Sequence, residues 1–242
     1  MYARLAEEYD ALLGELAEST WRQGIVAELA GLSRGTGTRI ADIGAGTGIG
    51  GRLMRELRPD FQIVGLDRAA RMLERARGSY RRTVVADASE GLPFEDREFD
   101  VLVSGFDTLN YFDPAVLRVF LAEAARCLRE FGLLIFDYSS PRLLREEWRD
   151  LEYEENHADG RVRWSHRYDA SQDRCVSTVE RYSEGGELKW REQHVQYALD
   201  AYSLAGLAEK QGLSVERVRN LDKPVYTPLA NTHIWVMSRQ RC

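Results

Sequence analysis

Apolar positions recur along this chain in two rhythms, and the switch between them divides it. Residues 19–30 set Trp21, Ile25, Val26 and Leu29 at helical spacing behind Ser19 or Thr20, which predicts a capped helix. Short apolar strands then alternate with helices. A strand over 39–43 feeds a glycine-rich turn and a helix through 57. A strand over 61–66 precedes a helix over 68–77 that buries Met72, Leu73 and Ala76. Strands follow over 83–86 and 99–104, then a helix over 114–128 with Pro114 near its first turn, then a very apolar strand over 132–137. Alternation of this kind predicts a doubly wound α/β fold, a mostly parallel sheet with helices on both faces.

After Ser140 the period changes to two. Over 161–168, Val162, Trp164, His166 and Tyr168 share one face, and Arg161, Arg163, Ser165 and Arg167 share the other. Residues 175–183 and 188–197 are also strand-like, with a hairpin turn over 184–187. Residues 139–198 therefore read as an antiparallel β insertion. A helix over 200–211 and strands over 213–219 and 232–238 bring the main sheet to seven strands. The expected organisation is one domain over 1–242, with 1–30 as an N-terminal helical cover and 139–198 as a substrate lid or dimer contact.

Composition narrows the function classes. Hydrophobic residues make 44% of the 242, enough to bury a sizeable core. The net charge of −6 argues against a nucleic-acid footprint, which needs a basic surface. Cys127, Cys175 and Cys242 are odd in number and in no metal spacing, so neither a disulfide scaffold nor a metal site is expected. The segment from Met1 to Glu8 is too acidic for a transit peptide, and no window approaches the length of a membrane span. A cytoplasmic, soluble protein is the expectation.

The run Ile40-Ala41-Asp42-Ile43-Gly44-Ala45-Gly46-Thr47-Gly48 carries the most chemistry. Its glycines let the backbone approach a ligand at a helix N-terminus. Asp67, closing the next strand, can accept both hydroxyls of a ribose. A dinucleotide fingerprint exists at Gly46, Gly48 and Gly51, which keeps NAD open; read from Gly44, the third position is Ile49 and the fingerprint fails.

With Asp42 included, the segment resembles the D-x-G-x-G-x-G pattern of class I S-adenosylmethionine (SAM) methyltransferases. Asp87-Ala88, Leu92-Pro93-Phe94, Phe99-Asp100-Val101-Leu102 and Leu128-Arg129-Glu130-Phe131-Gly132 follow in that family's order, with Glu130 and Phe131 departing from its usual Pro and Gly. The resemblance implies a Rossmann-like methyltransferase fold with SAM as cofactor and S-adenosylhomocysteine as product. It implies that Asp87 and Ala88 meet the adenine, and that Ala45, Thr47, Arg68, Met72, Ser104 and Gly105 join the glycines and Asp67 around the cofactor.

Three further segments resemble bacterial small-molecule methyltransferases of the aminosugar and glycine N-methyltransferase type. They are Tyr9-Asp10 followed by Trp21, the loop Phe106-Asp107-Thr108-Leu109-Asn110-Tyr111, and Phe136-Asp137-Tyr138-Ser139-Ser140. That likeness implies Tyr9 and Trp21 over the methionine end of SAM and Arg22 at its carboxylate. Tyr111 stands where the aminosugar enzymes carry a histidine, which weakens an amine assignment. The expected activity is methyl transfer to N or O of a small metabolite. Tyr111, Asn110 and one of His157 or His194 would orient the acceptor, and the main alternative is SAM-dependent chemistry without methylation. Three of the four histidines and three of the five tryptophans lie in 139–198, suggesting an aromatic-lined lid. Aromatic strands also suit contact with a second copy, so a homodimer is a second expectation.

Overall fold

The structure, a computed structural model, describes residues 5–32 and 35–240. Cys242 and the first four residues of the segment from Met1 to Glu8 lie outside them. The chain opens with α1 (Leu5–Trp21), which runs without a break through a π-helical turn (Arg22–Val26) into α2 (Ala27–Ala30). The helix expected over 19–30 thus begins fourteen residues earlier, at Leu5. Ser19 caps nothing; its hydroxyl accepts from Gln23 Nε2 at 2.8 Å. Leu5, Ala6, Ala17 and Trp21 are buried, so tertiary docking stabilises a first segment whose sequence is otherwise acidic.

The central elements are β1 (Arg39–Ile43), α3 (Ile49–Leu57), β2 (Gln62–Asp67), α4 (Ala70–Arg75), β3 (Arg82–Val85), β4 (Phe99–Ser104), α5 (Pro114–Cys127) and β5 (Leu128–Ser139). Asp113 caps α5, its Oδ1 accepting from the amides of Ala115 and Val116, with Pro114 in the first turn. The chain continues through β6 (Glu152–His157), β7 (Gly160–Asp169), β8 (Arg174–Ser183) and β9 (Leu188–Tyr197). It closes with α6 (Ala201–Glu209), β10 (Leu213–Asn220) and β11 (Thr232–Arg239). Strand β6 has almost no buried side chains and gives no periodic signal.

The main sheet has seven strands in the order β10-β11-β5-β4-β1-β2-β3. Strands β1 to β5 pair in parallel, and β11 is antiparallel to both β5 and β10. Strand β1 lies between β2 and β4, so the winding reverses there. That reversal opens a crevice beyond the carboxyl ends of β1 and β4, where open α/β sheets bind ligands. Strands β6 to β9 form a separate antiparallel sheet. Its inner face carries Val162, Trp164 and Val179, which pack with Leu12 and Leu13 of α1. Glu8 of α1 accepts from Arg181 Nε at 2.7 Å and from Trp190 Nε1 at 3.0 Å. The inner face of the insertion thus packs in part on this chain's own helix, while His166 stacks on Trp148 and Tyr153. Among the described residues no helix is long and apolar enough to cross a membrane.

Candidate functional site

A cleft fills the reversal crevice. Its floor is the turn after β1. Gly44, with φ of 79°, brings the backbone so close to the next loop that a Cβ would stand 2.5 Å from Thr108. Gly105, after β4, lies flat against Trp21, and a Cβ there would stand 2.4 Å from the indole. Ala45, Gly46 and Thr47 complete the floor. Asp67 and Arg68 come from the end of β2, Met72 from α4, and Ala86, Asp87 and Ala88 from the end of β3. Tyr9 and Trp21 come from α1, and Phe106, Thr108 and Tyr111 from the loop after β4.

The acids at the strand ends are pre-set. Asp67 accepts the amide of Gly46 on Oδ2 at 2.9 Å and that of Ala69 on Oδ1 at 2.8 Å. Burial pushes its carboxyl up and these amides oppose the push. Each oxygen keeps acceptor capacity for a hydroxyl. Asp87 is also partly desolvated, yet its carboxyl sits below the ordinary range because the hydroxyl and amide of Ser89 and the Arg68 guanidinium outweigh that. Asp42 lies beneath the turn, fully buried, accepting from Tyr80 Oη at 2.6 Å; burial pushes it up to about 7.

The glycine turn is poorly prepared for a pyrophosphate. The amides of Gly44 and Ala45 donate to Leu66 O and that of Gly48 to Ala45 O, while Asp67 takes the Gly46 amide. Asp10 of α1 adds a carboxylate at the start of α3, accepting from Thr47 Oγ1 at 2.6 Å. A second anion there meets occupied donors and a like charge.

On the far side of the cleft Tyr111 meets the insertion. Its hydroxyl lies 3.4 Å from His194 Nδ1, with the rings edge to face. Burial holds His194 down to about 4, so its imidazole is neutral at pH 7.

The positions singled out in the sequence divide accordingly. Tyr9, Trp21, Gly44, Ala45, Gly46, Thr47, Asp67, Arg68, Met72, Asp87, Ala88, Gly105 and Tyr111 line one cleft. Arg22 does not; one residue and so about 100° round the helix from Trp21, it faces outward, half exposed, in ion pairs with Glu18 and Glu56. Asp42, Gly48 and Ser104 sit behind the lining, Ser104 donating to Ile43 O at 2.9 Å. Asn110 is fully buried and not open to a substrate: its amide nitrogen donates to Ser139 O and Tyr197 O, and its oxygen accepts from Ser139 N. His157 lies at the end of β6 beside Glu155, outside the cleft lining. Sequence pattern assigns no role to Asp107, Asp137 and Gln196, which are hydrogen-bonded together behind the loop that lines the cleft. Phe106 and Asp107 both take left-handed φ, 55° and 52°, a region that costs Phe more than Asp. The Phe106-Asp107 dipeptide is visible as a motif, but its backbone conformation is not.

Residues 40–132 match the methyltransferase-domain family. A demethylmenaquinone methyltransferase of Thermotoga maritima is 32% identical over 140 residues, 56% of this chain and 58% of that protein. The chain thus spans less than three-fifths of that relative's length. Among solved structures, a SAM-dependent methyltransferase from Clostridium acetobutylicum superposes with a TM-score of 0.81 at 20% identity, covering 99% of each chain. An amino pentose methyltransferase of Micromonospora echinaspora gives 0.66 at 18% identity, covering 91% of this chain and 92% of that one. By that match and that superposition, residues 40–132 are similar to the methyltransferase-domain family, and the chain has the fold of the SAM-dependent methyltransferases.

Proposed function

We propose that this protein is a SAM-dependent methyltransferase acting on a nitrogen or oxygen of a small metabolite. The observation that carries this reading is the cleft itself. It sets a ribose-competent acid on β2, an acid and a backbone amide after β3, and an aromatic roof from α1 around one glycine turn. The names of relatives support it: demethylmenaquinone methyltransferases and a malonyl-(acyl-carrier protein) O-methyltransferase are among the curated proteins that the chain resembles.

The residues present fit the cofactor. Asp67 offers two oriented oxygens to the ribose hydroxyls, and Asp87 with the Ala88 amide suits the adenine edge. Tyr9 and Trp21 present π faces to the sulfonium end, which a cation favours and which leave its reactivity intact. Bound there, SAM supplies an electrophilic methyl group. The chain's own residues then do three things. The cover formed by α1 and the insertion excludes water. Tyr111 meets the acceptor from within the cleft, and neutral His194 behind it accepts a hydrogen bond or a proton through that hydroxyl. Neutrality matters, because an imidazolium beside a sulfonium would be repelled.

Calorimetric titration tests the reading. SAM and S-adenosylhomocysteine should bind and NAD should not, and Asp67→Ala should weaken SAM at least thirtyfold. NAD binding without SAM binding would overturn it. Incubation with SAM and a metabolite extract should yield S-adenosylhomocysteine; SAM consumed without it would mean non-methylating chemistry.

A further inference from the structure

The loop after β4 is held from two sides by groups the proposed chemistry does not use. Asp137, at the end of β5, accepts the amide of Asp107 on Oδ2 at 2.9 Å. The Asp107 carboxylate in turn accepts from Gln196 Nε2 of β9 at 2.7 Å. Between these contacts lies the left-handed pair Phe106 and Asp107, a conformation that persists only when its surroundings impose it. Neither acid makes an ion pair with a basic side chain among the described residues, so the Gln196 amide is a principal stabiliser of the charge on Asp107. The same loop presents Phe106, Thr108 and Tyr111 to the cleft. Gln196 and His194 are two residues apart on the inner face of β9, so whatever docks one aims the other. The buried Asn110 amide adds a third tie, to Tyr197 O.

We infer that Asp107 and Gln196 are positioning residues: their hydrogen bond docks β9 on the strained turn and thereby sets His194 against Tyr111 at the acceptor side of the cleft. The inference rests on the proposed methyltransferase reading for its consequence, and on the contacts alone for the docking. Asp137 fixes the turn from the main sheet. Gln196 fixes it from the insertion, so one loop joins the cofactor half to the covering half.

Hydrogen exchange on the full chain, with and without S-adenosylhomocysteine, tests it. Gln196→Leu should speed exchange at least tenfold in both 105–111 and 188–197. It should also shift the ¹⁵N signals of the His194 imidazole. The Asp107 carboxyl, followed by ¹³C NMR, should titrate at higher pH once the donor is gone, which a merely space-filling role for Gln196 would not cause. At pH 8 and above, where both acids are driven to ionise, Gln196→Glu should disrupt the contact by setting two carboxylates together. The double variant Asp107→Asn with Gln196→Glu exchanges donor and acceptor and should restore slow exchange. Unchanged exchange in Gln196→Leu would overturn the inference. If Gln196→Leu does not fold, the pair of glutamate variants decides: equal exchange in both overturns the docking, and recovery in the double variant supports it. These ligand-free measurements stand whether or not S-adenosylhomocysteine binds, so a failure of the methyltransferase reading would show separately.

Discussion

The seven-stranded sheet and the four-stranded sheet are built by different rules. The first is held by apolar burial on both faces: Ile40, Ala41, Val101, Leu102, Leu134 and Ile135 are wholly buried. The second has a short apolar row, Val162, Trp164 and Val179, and fills the rest of its inner face with polar groups. Arg181 pairs there with Glu8 and Asp159; His166 Nδ1 lies 2.8 Å from Ser177 Oγ; Gln196 reaches Asp107. A parallel sheet buried on both sides needs continuous hydrophobic strands, whereas an antiparallel sheet packed on one helix and one loop can use directional bonds. The seven-stranded sheet is therefore held by packing, and the four-stranded sheet is oriented by a few hydrogen bonds.

The sharpest way to break this contrast is Gly44→Val. It forces a branched side chain into left-handed backbone and against Thr108, so SAM affinity should fall more than a hundredfold by calorimetry while the cover sheet keeps its hydrogen-exchange pattern. Retained affinity would show that the turn does not touch the cofactor. Next, Tyr111→Phe and His194→Ala should lower methyl transfer roughly a hundredfold, the low end of what lost acid–base assistance costs, with SAM affinity within threefold of the parent. A matching loss of SAM affinity would move both residues to the cofactor side.

Arg181→Met tests the other half. Arg181 is buried, but its partners, the partly exposed Glu8 and the exposed Asp159, can rehydrate, so the cost should be about 2 kcal/mol, below the ~3–5 kcal/mol of breaking a fully buried pair. Exchange should quicken in β7 to β9 before it does in β1 to β5; uniform loosening would mean the two sheets unfold as one.

The smallest effect concerns pH. Burial pushes Asp42 up to about 7, so the folded protein binds that proton more tightly than the unfolded chain. Its contribution is fully present below the unfolded carboxylate value and is lost as pH rises through about 7. Asp42→Asn keeps an acceptor for Tyr80 but cannot ionise. Its Tm relative to the parent should rise by roughly 5 °C between pH 5 and pH 8. An offset that stays constant with pH would place the ionisation elsewhere.

Much of the cofactor half is legible in the amino-acid sequence. Strands β1, β4 and β9 fall where the apolar patterns set them, and Gly44, Asp67 and Asp87 face one cleft as their positions after successive parallel strands require. Helix α1 is only partly legible, since residues 5–18 are acidic and weakly patterned; its stability comes from Leu12 and Leu13 against the insertion. Arg22 lies away from its expected place because it directly follows the buried Trp21 on one helix, about 100° round the axis, and the carboxylates of Glu18 and Glu56 hold it on the outer face.

What the chain determines by itself is local: the period-two and period-3.6 patterns, the glycine turn, and the strand-end acids that a doubly wound sheet must gather at its reversal. What only the tertiary structure decides is how the polar groups of distant segments are used. Asn110 serves as a buried tie, and Asp107, Asp137 and Gln196 form a staple across eighty-nine residues of chain. The physical reason is that hydrogen bonds between side chains depend on ångström-scale approach, which no pattern along the chain encodes, whereas burial of an apolar face depends only on its period.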